Sequence, residues 1–151
     1  MQARPLLLVV VAAGTVGIGI SIYLTVVHFT TSVALVCETG GVVNCERVIS
    51  SPYGTVAGTG IPTSAAGIVW FAVSVGLAAL RLRQEGTGLA RAHLVWGAAG
   101  LLTVLYLVFI EIDRIGAICA WCTGAHLLVL LTFMSVLALS SGAGAPAPSR
   151  R

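Results

Sequence analysis

The sequence predicts an all-α integral membrane protein of four membrane-spanning helices, with a non-cytoplasmic loop between the first two. Three observations carry that expectation. Of the 151 residues, 58% are hydrophobic and only 9% charged, against roughly a quarter charged in an ordinary soluble domain, so the polar area that would solvate a globule is missing. Four apolar stretches, about Leu6–Val27, Ile61–Leu82, Leu89–Ile110 and Ile115–Leu139, each approach the roughly 20 residues a helix needs to cross about 30 Å of hydrocarbon. Finally, the charges are sorted by side. Arg4, Arg81, Arg83, Arg91, Arg150 and Arg151 would share one face of the membrane, while Glu38, Glu46, Glu111 and Asp113 lie opposite with only Arg47 and Arg114. Basic residues in short loops mark the cytoplasmic side, so both termini are expected there.

The first span, "LLLVVVAAGTVGIGISIYLTVV", follows Arg4 and could pass for a secretory signal, but its apolar run of about 22 residues exceeds the 7–15 of a signal core. It is therefore read as a retained span. Gly14, Gly17 and Gly19 in it, and Ser64, Ala65, Ala66 and Gly67 in the second, are small residues that permit close helix approach in lipid. The segment from about His28 to Gly60 is polar and glycine-bearing, and "EIDR" at 111–114 is expected to be a short turn on the same side. A membrane domain over 1–140 would then precede "SGAGAPAPSRR" at 141–151, a tail whose small residues and prolines offer no core and predict disorder. A net charge of +3 is too small to suggest nucleic acid. No nucleotide-binding motif is present.

All four cysteines fall on the predicted extracytoplasmic side. Cys119 and Cys122 form "CAWC" at the head of the fourth span, where residues three apart share a helical face about 5–6 Å apart, a separation compatible with a disulfide. Such a bridge closes almost no loop and would be a weak staple. Reversible redox chemistry explains the pair better than two buried apolar thiols do. A helix N-terminus lowers a thiol's pKa, whereas apolar surroundings and nearby Glu111 and Asp113 raise it, and the sequence leaves that contest open. Cys119, nearer the helix start and water, is the better candidate for disulfide exchange, and Cys122, about one turn deeper, for a lipid-soluble partner.

Cys37 and Cys45 lie in "VCETGGVVNCERVISSPYG". One reading is a static bridge that ties down the loop. The other is a relay, in which a mobile dithiol takes electrons from an external protein and passes them to the pair at the membrane by thiol–disulfide exchange, with glycines 40, 41, 54, 58 and 60 supplying mobility. Four-cysteine zinc is a third reading, but only one of the two pairs has the short spacing that structural zinc uses, and no metal is expected. Two electrons leaving a membrane dithiol most simply go to a quinone.

The order C-x7-C, then "ERVISS", then CxxC at the head of the last of four spans resembles the vitamin K epoxide reductase family over about residues 10 to 138. The DsbB family, which also couples disulfides to quinones through four spans, has the reverse order, with CxxC first. The resemblance implies a four-helix bundle around a quinone, with the non-cytoplasmic loop between helices 1 and 2 as a cap loop, Cys37 and Cys45 as shuttle pair and Cys119 and Cys122 as active-site pair. Electrons would pass from a reduced partner to Cys37, then through a transient Cys45–Cys119 disulfide, and Cys122 would meet the quinone: menaquinone, ubiquinone or vitamin K. Ser51 falls where the family keeps a serine or threonine that supports the site, although Ser50 or Ser51 could instead cap a turn before Pro52.

Two positions depart from the vertebrate pattern. Where those enzymes hold the quinone carbonyls with an asparagine and a tyrosine, this chain has Thr63 and His126. His126 lies four residues after Cys122, on the same helical face, and a histidine inside a span is expensive and often functional, though it can also bond a neighbouring helix. Thr63 could equally cap the second helix. The changed pair weighs against epoxide reduction more than against quinone reduction. His28 reads as an interfacial residue and Trp121 as packing or a cavity wall. Bacterial members often carry a fused thioredoxin-like domain and these 151 residues contain none, so a separate redox partner is expected.

The expected function is a membrane thiol–quinone oxidoreductase that reoxidises a DsbA-like thioredoxin-fold protein in support of disulfide bond formation. A bacterial cytoplasmic membrane is the expected location. The alternatives are a vitamin K quinone or epoxide reductase of the endoplasmic reticulum and, in a different class, a non-enzymatic membrane protein stapled by disulfides.

Overall fold

The computed structural model describes residues 3–30, 37, 41–56, 59–84 and 86–141. Glu38, Gly40, Gly58, Arg150 and Arg151 lie outside the described residues, as does the expected C-terminal tail from residue 142 onward.

Within them the chain is all-helical, as its composition predicts. Four long apolar helices are α1 (Ala3–Phe29), α3 (Thr63–Arg83), α4 (Thr87–Phe109) and α5 (Ala120–Ser140), with a short α2 (Cys45–Ile49) in the cap. Each long helix is sufficiently long and apolar to cross a bilayer, and the protein is an integral membrane protein. α1 packs against α3 and α5, and α4 packs against α5 and α3. The four therefore close into a ring in which every helix has two neighbours, and α1 is an integral part of it.

Small residues decide how closely the ring closes. In lipid there is no hydrophobic drive between helices, so association relies on van der Waals contact and interhelical hydrogen bonds. Gly14 and Gly17 lie so close to Val75 and the Phe71 ring that a Cβ would collide with them, and Gly67 faces Ser21 in the same way. The Thr25 and Ser64 hydroxyls, 2.9 Å apart, add a hydrogen bond between α1 and α3. Gly19 has no neighbour within 4 Å of its would-be Cβ and takes no part in this contact.

The boundaries differ from the apolar runs where a backbone device intervenes. α3 starts at Thr63 instead of Ile61, because Pro62 has extended geometry at the N-cap and the residue before a proline is pushed out of the helical region. The Val56 amide donates to the Ile61 carbonyl at 2.8 Å, which completes a small loop closure there. "EIDR" is not a turn. Residues Ile110–Ile115 continue α4 as a π-helical segment, and the reversal comes at Gly116, whose left-handed φ of 64° suits glycine. α5 consequently begins at Ala120, five residues later than the apolar run suggests, with Cys119 as its N-cap.

Candidate functional site

The cap is fixed to the bundle by backbone. Residues 42–44 pair in parallel with Ile118: the Ile118 amide donates to the Val42 carbonyl at 2.9 Å and the Asn44 amide to the Ile118 carbonyl at 3.0 Å. Asn44 then caps α2, its side-chain oxygen accepting from the Arg47 amide at 2.9 Å. This register sets Cys45, the first residue of α2, beside the turn that ends in Cys119. Both cysteines are fully buried, at 0% exposure, in one cluster with Val48, Ile110, Ile115 and Ala117, against which Cys37 and Cys122 also pack.

The four thiols are in two redox states. Cys37 and Cys45 are joined as a disulfide with Cα atoms 6.0 Å apart, whereas Cys119 and Cys122 are free. As N-cap of α5, Cys119 turns its sulfur back over the first helical turn, where it accepts from the Cys122 amide at 3.2 Å. A hydrogen bond from the Cys122 side chain, aided by backbone donors, holds the Cys119 thiol below its ordinary pKa against the opposing effects of burial and the Glu111 charge. The partner thiol, helped by the backbone amides of the helix start, therefore wins the contest that sequence left open. One expectation fails here: Cys119 is the buried member of the pair and Cys122 the partly exposed one, because the cap covers the helix start.

What Cys122 reaches is a cavity of about 520 Å³, lined by all four long helices and roofed by α2 and the 3-10 turn Pro52–Gly54. That volume lies within the roughly 300–1,000 Å³ of small-molecule sites. Aliphatic and aromatic side chains, among them Leu24, Val69, Trp70, Phe71 and Val129, make most of the wall. The polar groups are few. Ser51, Thr63 and His126 all line it, so the candidate residues picked from three separate segments meet in one place, together with Cys122 but not Cys119.

Their hydrogen bonds refine what each can offer. The Ser51 hydroxyl donates to the Val48 carbonyl at 2.7 Å, so its lone pairs are what remain for a ligand. Its side chain does not cap the following 3-10 turn. The Thr63 hydroxyl spans to the Tyr53 carbonyl at 3.4 Å and ties the roof to α3, and the helix cap position is Pro62. Trp121 does not line the cavity; its ring packs on Tyr23 at 5.0 Å between centroids and against the cysteine cluster.

Sequence reasoning missed part of this wall. His28 lines the cavity, although its place near the end of α1 suggested the membrane interface. Tyr53, Trp70, Trp96 and Glu111 are also there. Glu111 had a legible signal, an acidic residue at the edge of an apolar run, but only the π-helical register turns it inward.

Comparison with known families decides what this arrangement belongs to. The model of the vitamin K epoxide reductase family matches residues 8–137. The chain belongs to that family. Vitamin K epoxide reductase family proteins are oxidoreductases that reduce quinones with thiols, so the inert, disulfide-stapled alternative is set aside. The match covers both cysteine pairs and takes in α3 and α4 whole and most of α1 and α5. Among curated proteins no significant match is found.

Proposed function

We propose that this family member draws electrons from a reduced, separate thioredoxin-fold protein of DsbA type outside the cytoplasm and passes them to a membrane quinone through Cys37, Cys45, Cys119 and Cys122. One observation carries the proposal: Cys122 opens on the apolar cavity while its partner Cys119 is buried in the same cluster as Cys45.

The chemistry follows in balanced steps. Two thiols of the partner reduce the Cys37–Cys45 disulfide and leave the partner oxidised. The Cys45 thiolate then attacks Cys119 of the oxidised CxxC pair, forming a Cys45–Cys119 disulfide and freeing Cys122. Attack of Cys37 on Cys45 restores the loop disulfide and releases Cys119, so both electrons now reside on the CxxC pair. The loop disulfide and the free Cys119 and Cys122 correspond to this stage. Closure of a Cys119–Cys122 disulfide gives two electrons and two protons to the quinone, which becomes a quinol.

Direction follows from potential. A DsbA-type couple sits near about −120 mV, so only an acceptor of higher potential drains it. Membrane quinones meet that need, and the cavity's apolar wall suits a quinone ring. Toward it we assign Ser51 as an acceptor suited to a quinol hydroxyl, with His126 and Thr63 as polar contacts on α5 and α3. Arginines 81, 83 and 91 around the α3–α4 connection support an orientation with that connection and both termini in the cytoplasm of a bacterial cell.

The test mixes purified full-length protein, a reduced DsbA-like protein and a short-chain quinone, and follows quinone absorbance. Turnover is expected for the natural sequence and none for Cys122→Ala. Equal turnover in the two would overturn the assignment of Cys122.

A further inference from the structure

Among the described residues Glu111 is the one aspartate, glutamate, lysine or arginine that is buried. It is only 6% exposed, lines the cavity with Cys122, and takes part in no salt bridge among the described residues, where the single ion pair joins Arg114 to Asp113. Its carboxyl group lies beside the Cys119 backbone amide and within electrostatic reach of both CxxC sulfurs, and the Ala117 amide donates to its backbone carbonyl at 3.2 Å, which ties residue 111 to the turn that ends in Cys119. An acidic group at membrane depth is costly and is kept out of lipid-facing positions. Here it is held inward by the π-helical segment 110–115, a local irregularity that recurs at functional sites.

We propose that Glu111 is the proton carrier of the quinone step, moving a proton from the Cys119 thiol to a quinone oxygen in the cavity. The inference rests on the reading of Cys119 and Cys122 as the quinone-reducing pair. Reduction of a quinone to a quinol consumes two electrons and two protons. Two S–H bonds break, one S–S bond forms and two O–H bonds form, so the thiols supply everything in net terms. The difficulty is spatial. Cys122 faces the cavity and can release its proton there, but Cys119 is sealed under the cap and does not line the cavity. Glu111 neighbours both places: it lies beside the Cys119 amide on one side and borders the quinone space on the other. It accepts the Cys119 proton, delivers one to the quinone and returns to its starting state.

Other titratable groups face the same space, namely His28 from α1, Tyr53 from the roof, and Cys122 and His126 from α5. Glu111 is distinguished from these cavity groups by its burial and its place beside the Cys119 backbone.

The experiment uses the purified full-length protein with its CxxC pair reduced by dithiothreitol, which is then removed before rapid mixing with a short-chain ubiquinone. Glu111→Gln keeps an oxygen for the Cys119 amide but carries no exchangeable acid proton, and Glu111→Asp keeps the acid on a shorter arm. Glu111→Gln is expected to slow quinone reduction about 100-fold, the range of general acid–base groups. Its rate should also lose the pH dependence and solvent isotope effect of the natural protein, while Glu111→Asp recovers part of the rate. Formation of the Cys45–Cys119 disulfide, read in a Cys122→Ala background, should not be slowed by Glu111→Gln, because loss of the Glu111 charge favours the attacking Cys119 thiolate. A Glu111→Gln rate and pH profile equal to the natural protein's, or an equal slowing of both steps, would overturn the proton-carrier role alone. Failure of the natural protein to reduce quinone at all would instead remove the underlying assignment of the CxxC pair, and this inference with it.

Discussion

At one end of the bundle Leu7, Val10, Ala78 and Val136 meet as an aliphatic cluster drawn from α1, α3 and α5. At the other, Cys45 and Cys119 are buried with Val48, Ile110, Ile115 and Ala117 beneath a cap that is tied down by a disulfide and two backbone hydrogen bonds. Burial is equally complete at both ends, but it serves different purposes. The aliphatic cluster holds helices by close packing and contains nothing that reacts. The cysteine cluster excludes water around sulfurs whose bonds have to change partners, so its packing has to tolerate movement. Removing a side chain at the first end should cost stability without touching turnover, and at the second the reverse.

The sharpest break of that symmetry is Cys122→Ala. Quinone reduction is expected to fall to background, and Cys119, left without its partner, should attack Cys45 and accumulate a Cys45–Cys119 disulfide detectable by peptide mapping under non-reducing conditions. Absence of that species would separate the two buried cysteines chemically as well as functionally. The pH dependence of its formation is informative too. The Cys122 thiol is the leading cause of the lowered Cys119 pKa, so deleting it raises that pKa, and the thiolate needed for attack appears only at higher pH. Cys122→Ser, which retains a donor, should therefore form the trapped species at lower pH than Cys122→Ala does.

His126→Leu comes next. Loss of one hydrogen bond to the quinone, worth about 1–1.5 kcal/mol, is expected to raise the KM for quinone about tenfold, with the Cys45–Cys119 exchange untouched. A change in exchange and none in KM would move His126 from the cavity site to a role in helix packing.

Asn44→Ala acts on the cap alone. Loss of an N-cap costs about 1 kcal/mol, and because α2 begins at Cys45 the expected result is an exchange rate about fivefold lower in the Cys122→Ala background, measured by quench and alkylation. No change would mean that the Ile118 pairing suffices to seat Cys45. The smallest effect on turnover belongs to the aliphatic end, where Val136→Ala is expected to remove about 1–2 kcal/mol of stability through the cavity it leaves. Thermal unfolding in detergent would measure it, with turnover per folded molecule unchanged.

Much of this was legible in one dimension. The four spans can be counted because a helix must remain apolar for about 20 residues to cross hydrocarbon, and that demand is local. The cysteine pattern was legible for the same reason, since spacing and order are properties of the chain. Gly14, Gly17 and Gly67 were readable as packing residues, but Gly19, of the same type and in the same span, faces open space. Residue type signals the capacity for close approach, and only the neighbouring helix decides its use.

The sequence by itself determined that the protein lives in a membrane, how many times it crosses, and which thiols form the two pairs in its family's pattern. The sequence already pointed Cys122 at a lipid-soluble partner, but tertiary structure decided that Cys119 is the sealed thiol. That assignment depends on the Val42–Ile118 pairing, on the left-handed Gly116 and on the π-helical register that turns Glu111 inward. Each is a contact or a backbone angle set by segments distant in sequence, so hydropathy and spacing, which report on neighbours along the chain, carry no trace of them.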